Sequence, residues 1–194
     1  MAEVPSTFQL KPGQTAPDFA LPDGEGTVHR LKDLVAGQNG ILVAFVCNHC
    51  PFVTHLAQKW GDLARAFSGP GIATVAINAN DVARYPSDAP VHMKAFARAN
   101  GWDFPYLYDE TQNVAKAYAA ACTPDFYLFD SDLRLTYAGQ FDATRPGGGA
   151  AATGVDLSRA IENLLAGKAA PEPWYPSSGC SIKWKPGGEP DYFG

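Results

Sequence analysis

Residues 40–46 read GILVAFV, an unbroken apolar run rich in branched side chains that opens behind Asn39-Gly40. A strand with one wet face would alternate, so a run without alternation predicts a central strand covered on both faces. The period changes directly after it. Phe52, Leu56, Trp60, Leu63, Ala64 and Phe67 recur at helical spacing, while Thr54, His55, Gln58, Lys59, Asp62 and Arg65 fall on the opposite side. That pattern predicts an amphipathic helix over 51–67, with proline in its first turn and Gly69-Pro70-Gly71 ending it. Residues 72–77 predict a second buried strand, and the polar, proline-containing stretch 78–90 a long loop.

Further along, helices are predicted over 90–100, 111–121 and 153–166, the last with Thr153 and Asp156 in capping-box spacing. Short strands are predicted over 18–21 and 104–108, and a hairpin of 126–129 with 133–137 around Asp130-Ser131-Asp132. Residues 1–15 read as an irregular lead-in and the glycine-rich 143–152 as a mobile connection. Strands alternating with helices, then a hairpin and a last helix, place the chain in the α/β class. One domain is expected over 1–167. Residues 168–194, without periodicity, are expected to form an extended tail packed on it.

Composition adds limits. The 194 residues suffice for one domain with a real core, and 46% hydrophobic against 18% charged residues exclude a disordered chain. A net charge of −5 offers no basic footprint, so neither nucleic acid nor a membrane is expected as a partner. The N-terminus lacks a basic segment leading into an apolar one, and the longest apolar run, 41–47, is too short to cross a bilayer. A cytoplasmic location is expected. No phosphate-binding glycine motif is present, since Gly147-Gly148-Gly149 is not followed by Lys-Ser or Lys-Thr, and no cofactor is expected.

The chemistry sits in cysteine. Four cysteines are too few for a disulfide scaffold. Two of them, in Cys47-Asn48-His49-Cys50, fall where the buried strand hands over to the helix. Unpaired N–H groups and the dipole at a helix N-terminus stabilise a thiolate, the reactive species in disulfide exchange. His49 adds a positive charge or a hydrogen bond. The two intervening residues let the sulfurs meet. The spacing points to redox work. A zinc site would need two further ligands, for which His49 and His55 are the available pair, and inert core cysteines are the other alternative. No second such pair exists, and no metal is expected.

The stretches Ala16-Pro17-Asp18-Phe19-Ala20-Leu21, GILVAFVCNHCP and Cys122-Thr123-Pro124-Asp125 resemble the redoxin (AhpC/TSA-like) branch of the thioredoxin superfamily. With Gly179-Cys180-Ser181-Ile182-Lys183-Trp184, nearly the whole chain resembles peroxiredoxin-like proteins labelled thiol-disulfide isomerase. The resemblance implies a thioredoxin-like fold: a central mixed sheet flanked by helices, with an N-terminal redoxin extension and an extended C-terminal tail. It also implies that Pro124 is cis and packs against the active sulfurs, and that Thr123 and Pro124 hold the substrate's extended chain. Cys122 and Cys180 are candidate accessory redox cysteines. A structural bond between them, or free thiols, are the other readings.

The chain departs from these families. Val46 stands where thioredoxins carry tryptophan, and Ala44 where they carry a buried aspartate, so a proton acceptor is missing that His49 could replace. A histidine before the second cysteine is similar to DsbA-type oxidases, whose dithiol lies at about −120 mV against about −270 mV for thioredoxin. A potential more oxidising than thioredoxin's is therefore expected. Of the peroxiredoxin pattern, Cys50-Pro51 matches, Cys47 replaces the threonine, and Arg145 is the candidate arginine. The expected function is a thiol-disulfide oxidoreductase acting on protein or small-molecule disulfides, with a cellular thiol reductant or oxidant. Cys47 would be the more exposed nucleophile, Cys50 the buried resolving thiol, His49 the tuning group, and Phe52 with Trp102 an apolar docking rim. The alternatives are a thiol peroxidase using Cys50 and a non-catalytic redox-sensing or binding module.

Overall fold

The computed structural model describes residues 3–193. The elements run β1 (Glu3–Pro5), β2 (Ala20–Pro22), β3 (Val28–Arg30), α1 (Leu31–Val35), β4 (Gly40–Phe45), α2 (Pro51–Ser68) and β5 (Ile72–Asn78). A 3-10 turn (Pro86–Asp88) precedes α3 (Pro90–Ala99), β6 (Tyr106–Tyr108), α4 (Asn113–Ala117), β7 (Cys122–Thr123), β8 (Asp125–Asp130), β9 (Leu135–Gly139), α5 (Val155–Leu165) and β10 (Ser178–Ser181).

The apolar run becomes β4, the centre of a five-stranded mixed sheet in the order β6-β5-β4-β8-β9. It runs parallel to β5 and antiparallel to β8, with Val43 opposite Val75 on one side and Tyr127 on the other. Its side chains alternate between two cores. Leu42, Ala44 and Val46 face Leu56 and Trp60 of α2, Met93 of α3 and Leu157 and Ile161 of α5. Ile41, Val43 and Phe45 face Leu31 and Val35 of α1 and Ala115 and Tyr118 of α4. Both faces are dry, which is why the sequence shows no polar alternation there. Each fully buried branched side chain contributes about 1.5–3 kcal/mol.

Three sequence expectations change. The strand expected over 18–21 starts at Ala20 and pairs only with β3. The helix expected over 111–121 shrinks to five residues, because Gln112 takes a left-handed φ of 62° and Ala119 one of 51°. Gln112 instead sends its side-chain amide to the carbonyls of Ala79 and Lys183. The capping box at 153–156 does not form. Asp142 Oδ2 instead accepts from the amides of Thr153 (2.6 Å) and Gly154 (2.7 Å), fixing the chain just before α5 from a distant loop. The tail lies against the domain: β10 sits between β1 and β7 in a three-stranded sheet, and Ile182 and Trp184 are buried beyond it. Among the described residues, no helix is long and apolar enough to cross a membrane.

Candidate active site

The strand–helix handover is tight. Val46 N donates to Ile77 O (2.9 Å), and within five residues α2 has begun with Cys50 as its N-cap and Pro51 as its first residue. The Cys50 carbonyl accepts from the Val53 and Thr54 amides, both at 3.0 Å. Proline is suited to this place because its missing N–H would have had no helical partner. Neither thiol is exposed: Cys47 and Cys50 both show 0% accessibility. The expectation that Cys47 is the more exposed of the two is corrected, since the tail and the 85–88 turn reach the site.

The two residues between the cysteines are clamped by Asp88, which the sequence reading did not single out. Its Oδ1 accepts from the amides of Asn48 (2.9 Å) and His49 (3.2 Å), and its Oδ2 from His49 Nδ1 (2.6 Å) and Asn80 Nδ2 (2.8 Å). Burial alone would raise this carboxyl, but the bonds from His49 and Asn80 win and hold it below its ordinary value. An ionised Asp88 only accepts, so the 2.6 Å contact places the proton of that bond on His49 Nδ1. Nε2 of His49 is shielded from solvent and has no partner among the described residues. The ring stacks on Tyr85 at 5.3 Å. Asn48 is fixed as well, by Ser87 O (2.9 Å) and the Tyr106 hydroxyl (3.0 Å). Asp88 lay inside a polar loop with no periodicity, so its sequence carried no signal beyond the turn-forming Pro86-Ser87-Asp88.

Across the thiols stands the segment of Thr123 and Pro124, joined by a cis peptide bond as the resemblance implied. Thr123 Oγ1 lies 3.5 Å from Cys47 Sγ, and the Thr123 carbonyl oxygen lies 3.2 Å from Cys50 Sγ. Its backbone edge is not open: β10 pairs Cys180 with Thr123 and Ser181 with Cys122. A substrate strand could use that edge only by displacing β10. All four cysteines therefore meet within one region, each buried.

Their environments differ. Burial, the Cys50 thiol and the Asp88 charge push Cys47 well above its ordinary value. Cys50 is drawn down to about 5: a hydrogen bond with Cys47 outweighs burial, and contacts with Cys180, Thr123 and the Val53 amide add to it. The helix N-terminus favours charge on Cys50, and the nearby carboxylate disfavours it on Cys47. Of the pair, Cys50 ionises first and Cys47 keeps the proton. Burial and then the Cys50 sulfur push Cys180 up to about 12, and burial raises Cys122 well above its ordinary value.

Other residues fall elsewhere. His55 bonds Thr144 Oγ1 through Nε2 (2.8 Å), away from the dithiol, so it does not join His49 in a zinc set. Cys47, His49 and Asp88 do bring ligand-type atoms within 4.8 Å of one another, a sulfur–nitrogen–oxygen set that could hold a metal if Asp88 gave up its present bonds. Arg145 donates to the carbonyls of Asp142 (3.0 Å) and Thr144 (2.8 Å) and to Gln140 Oε1 (3.0 Å), which bind it to its own loop. Trp102 is core: it packs edge-on against Trp60 and donates to Ala57 O (2.8 Å). Phe52 lines a groove beside Pro124, with His55, Phe141, Thr144 and Arg145.

A family model described as AhpC/TSA family matches residues 12–138. Among solved structures, the chain is similar to an uncharacterized conserved protein from Geobacillus kaustophilus, 49% identical with a TM-score of 0.91 over 96% of this chain and 98% of that one. Peroxidoxin BcpB from Mycobacterium tuberculosis, 23% identical with a TM-score of 0.61 over 81% and 98%, shares the fold. The thiol-disulfide oxidoreductase ResA of Geobacillus thermodenitrificans is 28% identical over 63% of this chain and 66% of its own length. The chain thus spans a little under two thirds of that relative.

Proposed function

The chain belongs to the AhpC/TSA family and has a thioredoxin-like fold, and from that premise we propose that it is a thiol-disulfide oxidoreductase working through Cys47 and Cys50. The observation that carries the reading is the unequal pair. One sulfur sits at the N-cap of α2, where unpaired amides favour a thiolate, while burial and the Asp88 charge oppose one on the other. In the forward direction, Cys50 attacks a substrate disulfide, forming a mixed disulfide and releasing the first substrate sulfur as a thiolate that takes up a proton. Cys47 then attacks Cys50 Sγ and gives up its proton. The Cys47–Cys50 bond forms, and the second substrate sulfur leaves as a thiolate that takes up that proton. The substrate disulfide is reduced and the dithiol oxidised, and a cellular thiol reductant resets the pair. The roles of the two cysteines are thus exchanged relative to the sequence reading.

His49 is the tuning group between the two cysteines, and Asp88 is a positioning residue that fixes its ring. Thr123 supports both sulfurs. Thr123 and Pro124 form the edge where a disulfide-bearing chain would lie once β10 is displaced, in a protein read as cytoplasmic. One observation favours a second reading, thiol peroxidase: Cys50 precedes proline at a helix N-cap and its thiolate is stabilised. Against it, Cys47 offers a thiol where a hydroxyl would meet peroxide, and the Arg145 donors are engaged within its loop. Insulin-disulfide reduction and peroxide consumption, measured on wild type and Cys47→Ser, separate the two. The oxidoreductase reading expects insulin reduction by wild type and its loss in the variant. Fast peroxide turnover retained by Cys47→Ser would favour the peroxidase.

A further inference from the structure

The tail strand β10 is placed as if it were part of the site. In an antiparallel pair, directly opposed residues put their side chains on one face. Cys180 is opposed to Thr123, whose hydroxyl faces Cys47 and whose carbonyl faces Cys50. Cys180 is therefore delivered to the face that carries both site thiols, and it is buried in the same apolar cluster. Cys122, opposed to Ser181, belongs to the other face, and its thiol donates to Pro124 O at 3.5 Å.

Two features hold β10 there. A Cβ on Gly179 would collide with the Thr123 carbonyl and come within 3.2 Å of the Pro124 ring, so only glycine permits this approach. On its other edge β10 is closed by β1, with Glu3 opposite Cys180, and further on Lys183 N donates to Asn80 Oδ1 (2.9 Å). Asn80 is the same residue that donates to Asp88. The tail is sewn to the clamp around His49.

We propose that Cys180 is the third redox thiol of this site, receiving the disulfide from Cys47–Cys50 to form Cys50–Cys180. The proposal rests on the dithiol reading above and deepens it. Starting from the Cys47–Cys50 disulfide, Cys180 Sγ attacks Cys50 Sγ, the Cys47–Cys50 bond breaks, and Cys47 leaves as a thiolate that takes up the proton Cys180 released. Two sulfurs are oxidised before and after, so the exchange needs no further oxidant. In this state the tail is tied covalently to the start of α2. The edge it occupies is then closed to an extended, disulfide-bearing peptide, the class of ligand that must displace β10 to reach Cys50.

The test oxidises the Cys47→Ser protein with one equivalent of glutathione disulfide, traps free thiols in denaturant and maps the bonds by mass spectrometry, with wild type treated in parallel. A Cys50–Cys180 bond with loss of the glutathione adduct is expected in Cys47→Ser. A stable glutathione adduct on Cys50, with Cys180 trapped as free thiol, would overturn the proposal, and if wild type still forms Cys47–Cys50 the dithiol reading stands without it. A wild type in which Cys50 enters no disulfide would overturn both. Adding Gly179→Ala to Cys47→Ser is expected to cause loss of the Cys50–Cys180 bond, while Gly179→Ala alone still forms Cys47–Cys50. A Cys50–Cys180 bond undiminished by Gly179→Ala would contradict the placement of β10.

Discussion

At the scale of the residue, Cys47 and Cys50 are three positions apart in sequence and sit in opposite fields. The helix N-cap and the Cys47 thiol favour charge on Cys50, and burial with Asp88 opposes it on Cys47. Thiolate ultraviolet absorbance should rise with an inflection near the value of about 5 set for Cys50, and this step should vanish in Cys50→Ser. A first inflection in the ordinary thiol range would reject the assignment. Asp88 accepts from four donors, and an asparagine in its place can satisfy only some of them. Asp88→Asn should cost about 2–4 kcal/mol by urea unfolding near neutral pH, at about 1–3 kcal/mol for each buried donor left unmet. Because the native carboxyl is held below its ordinary 3.8, this advantage exists above that value and should fade as the solution becomes more acid. Asp125 behaves in the opposite sense. Burial outweighs its bonds from Tyr127 and Ser177 and raises it from 3.8 to about 7. The fold favours its neutral form, so its contribution is complete below 3.8 and lost as pH rises through 7. Relative to Asp125→Asn, wild type should lose a few kcal/mol across that window, at about 1.4 kcal/mol per pKa unit. A constant difference across the window would refute this. The dithiol and His49 were legible in the sequence because spacing carries them. Asp88 and Asp125 were not, since a buried acid is recognised by its surroundings.

The elements that position the site were legible where periodicity is strong. β4, α2, β5 and α3 lie within a residue or two of their predicted bounds, because burial on one face or two writes itself directly into the order of apolar side chains. The failures are places where a distant group replaces a local one. α4 ends early because Gln112 serves the tail rather than its own helix. The entry to α5 is held by Asp142 rather than by a capping box of Thr153 and Asp156. Asp142→Ala should therefore destabilise the protein by about 1–3 kcal/mol in urea unfolding, the range for buried amides left without a partner. Thr153→Ala, which leaves the Asp142 bonds to the amides in place, should cost distinctly less. Equal losses would contradict the role of Asp142 in fixing this junction.

At the scale of the molecule, the chain's two ends meet over its centre. β1 and β10 contribute seven residues in all, without an apolar pattern, yet they cover the Thr123 edge and carry Cys180 to Cys50. Nothing in Ser178-Gly179-Cys180-Ser181 announces a strand, and its partner Cys122-Thr123 is two residues long. Such pairings are fixed by the tertiary frame and by the close approach that Gly179 permits, so the sequence could yield only an extended tail lying somewhere on the domain. The frame also links tail to chemistry: Asn80 joins Lys183 to Asp88, and Asp88 joins Asn80 to His49. We infer that this frame stabilises one thiolate, on Cys50, and so stabilises the reduced state relative to the disulfide. This stabilisation is tested most directly by equilibrating the protein across a series of glutathione redox buffers, counting thiols and mapping the peptide that contains Cys50. One two-electron transition is expected, with Cys50 in the disulfide and a midpoint above thioredoxin's value of about −270 mV. A midpoint below that value, or a Cys50 that stays free throughout, would contradict it.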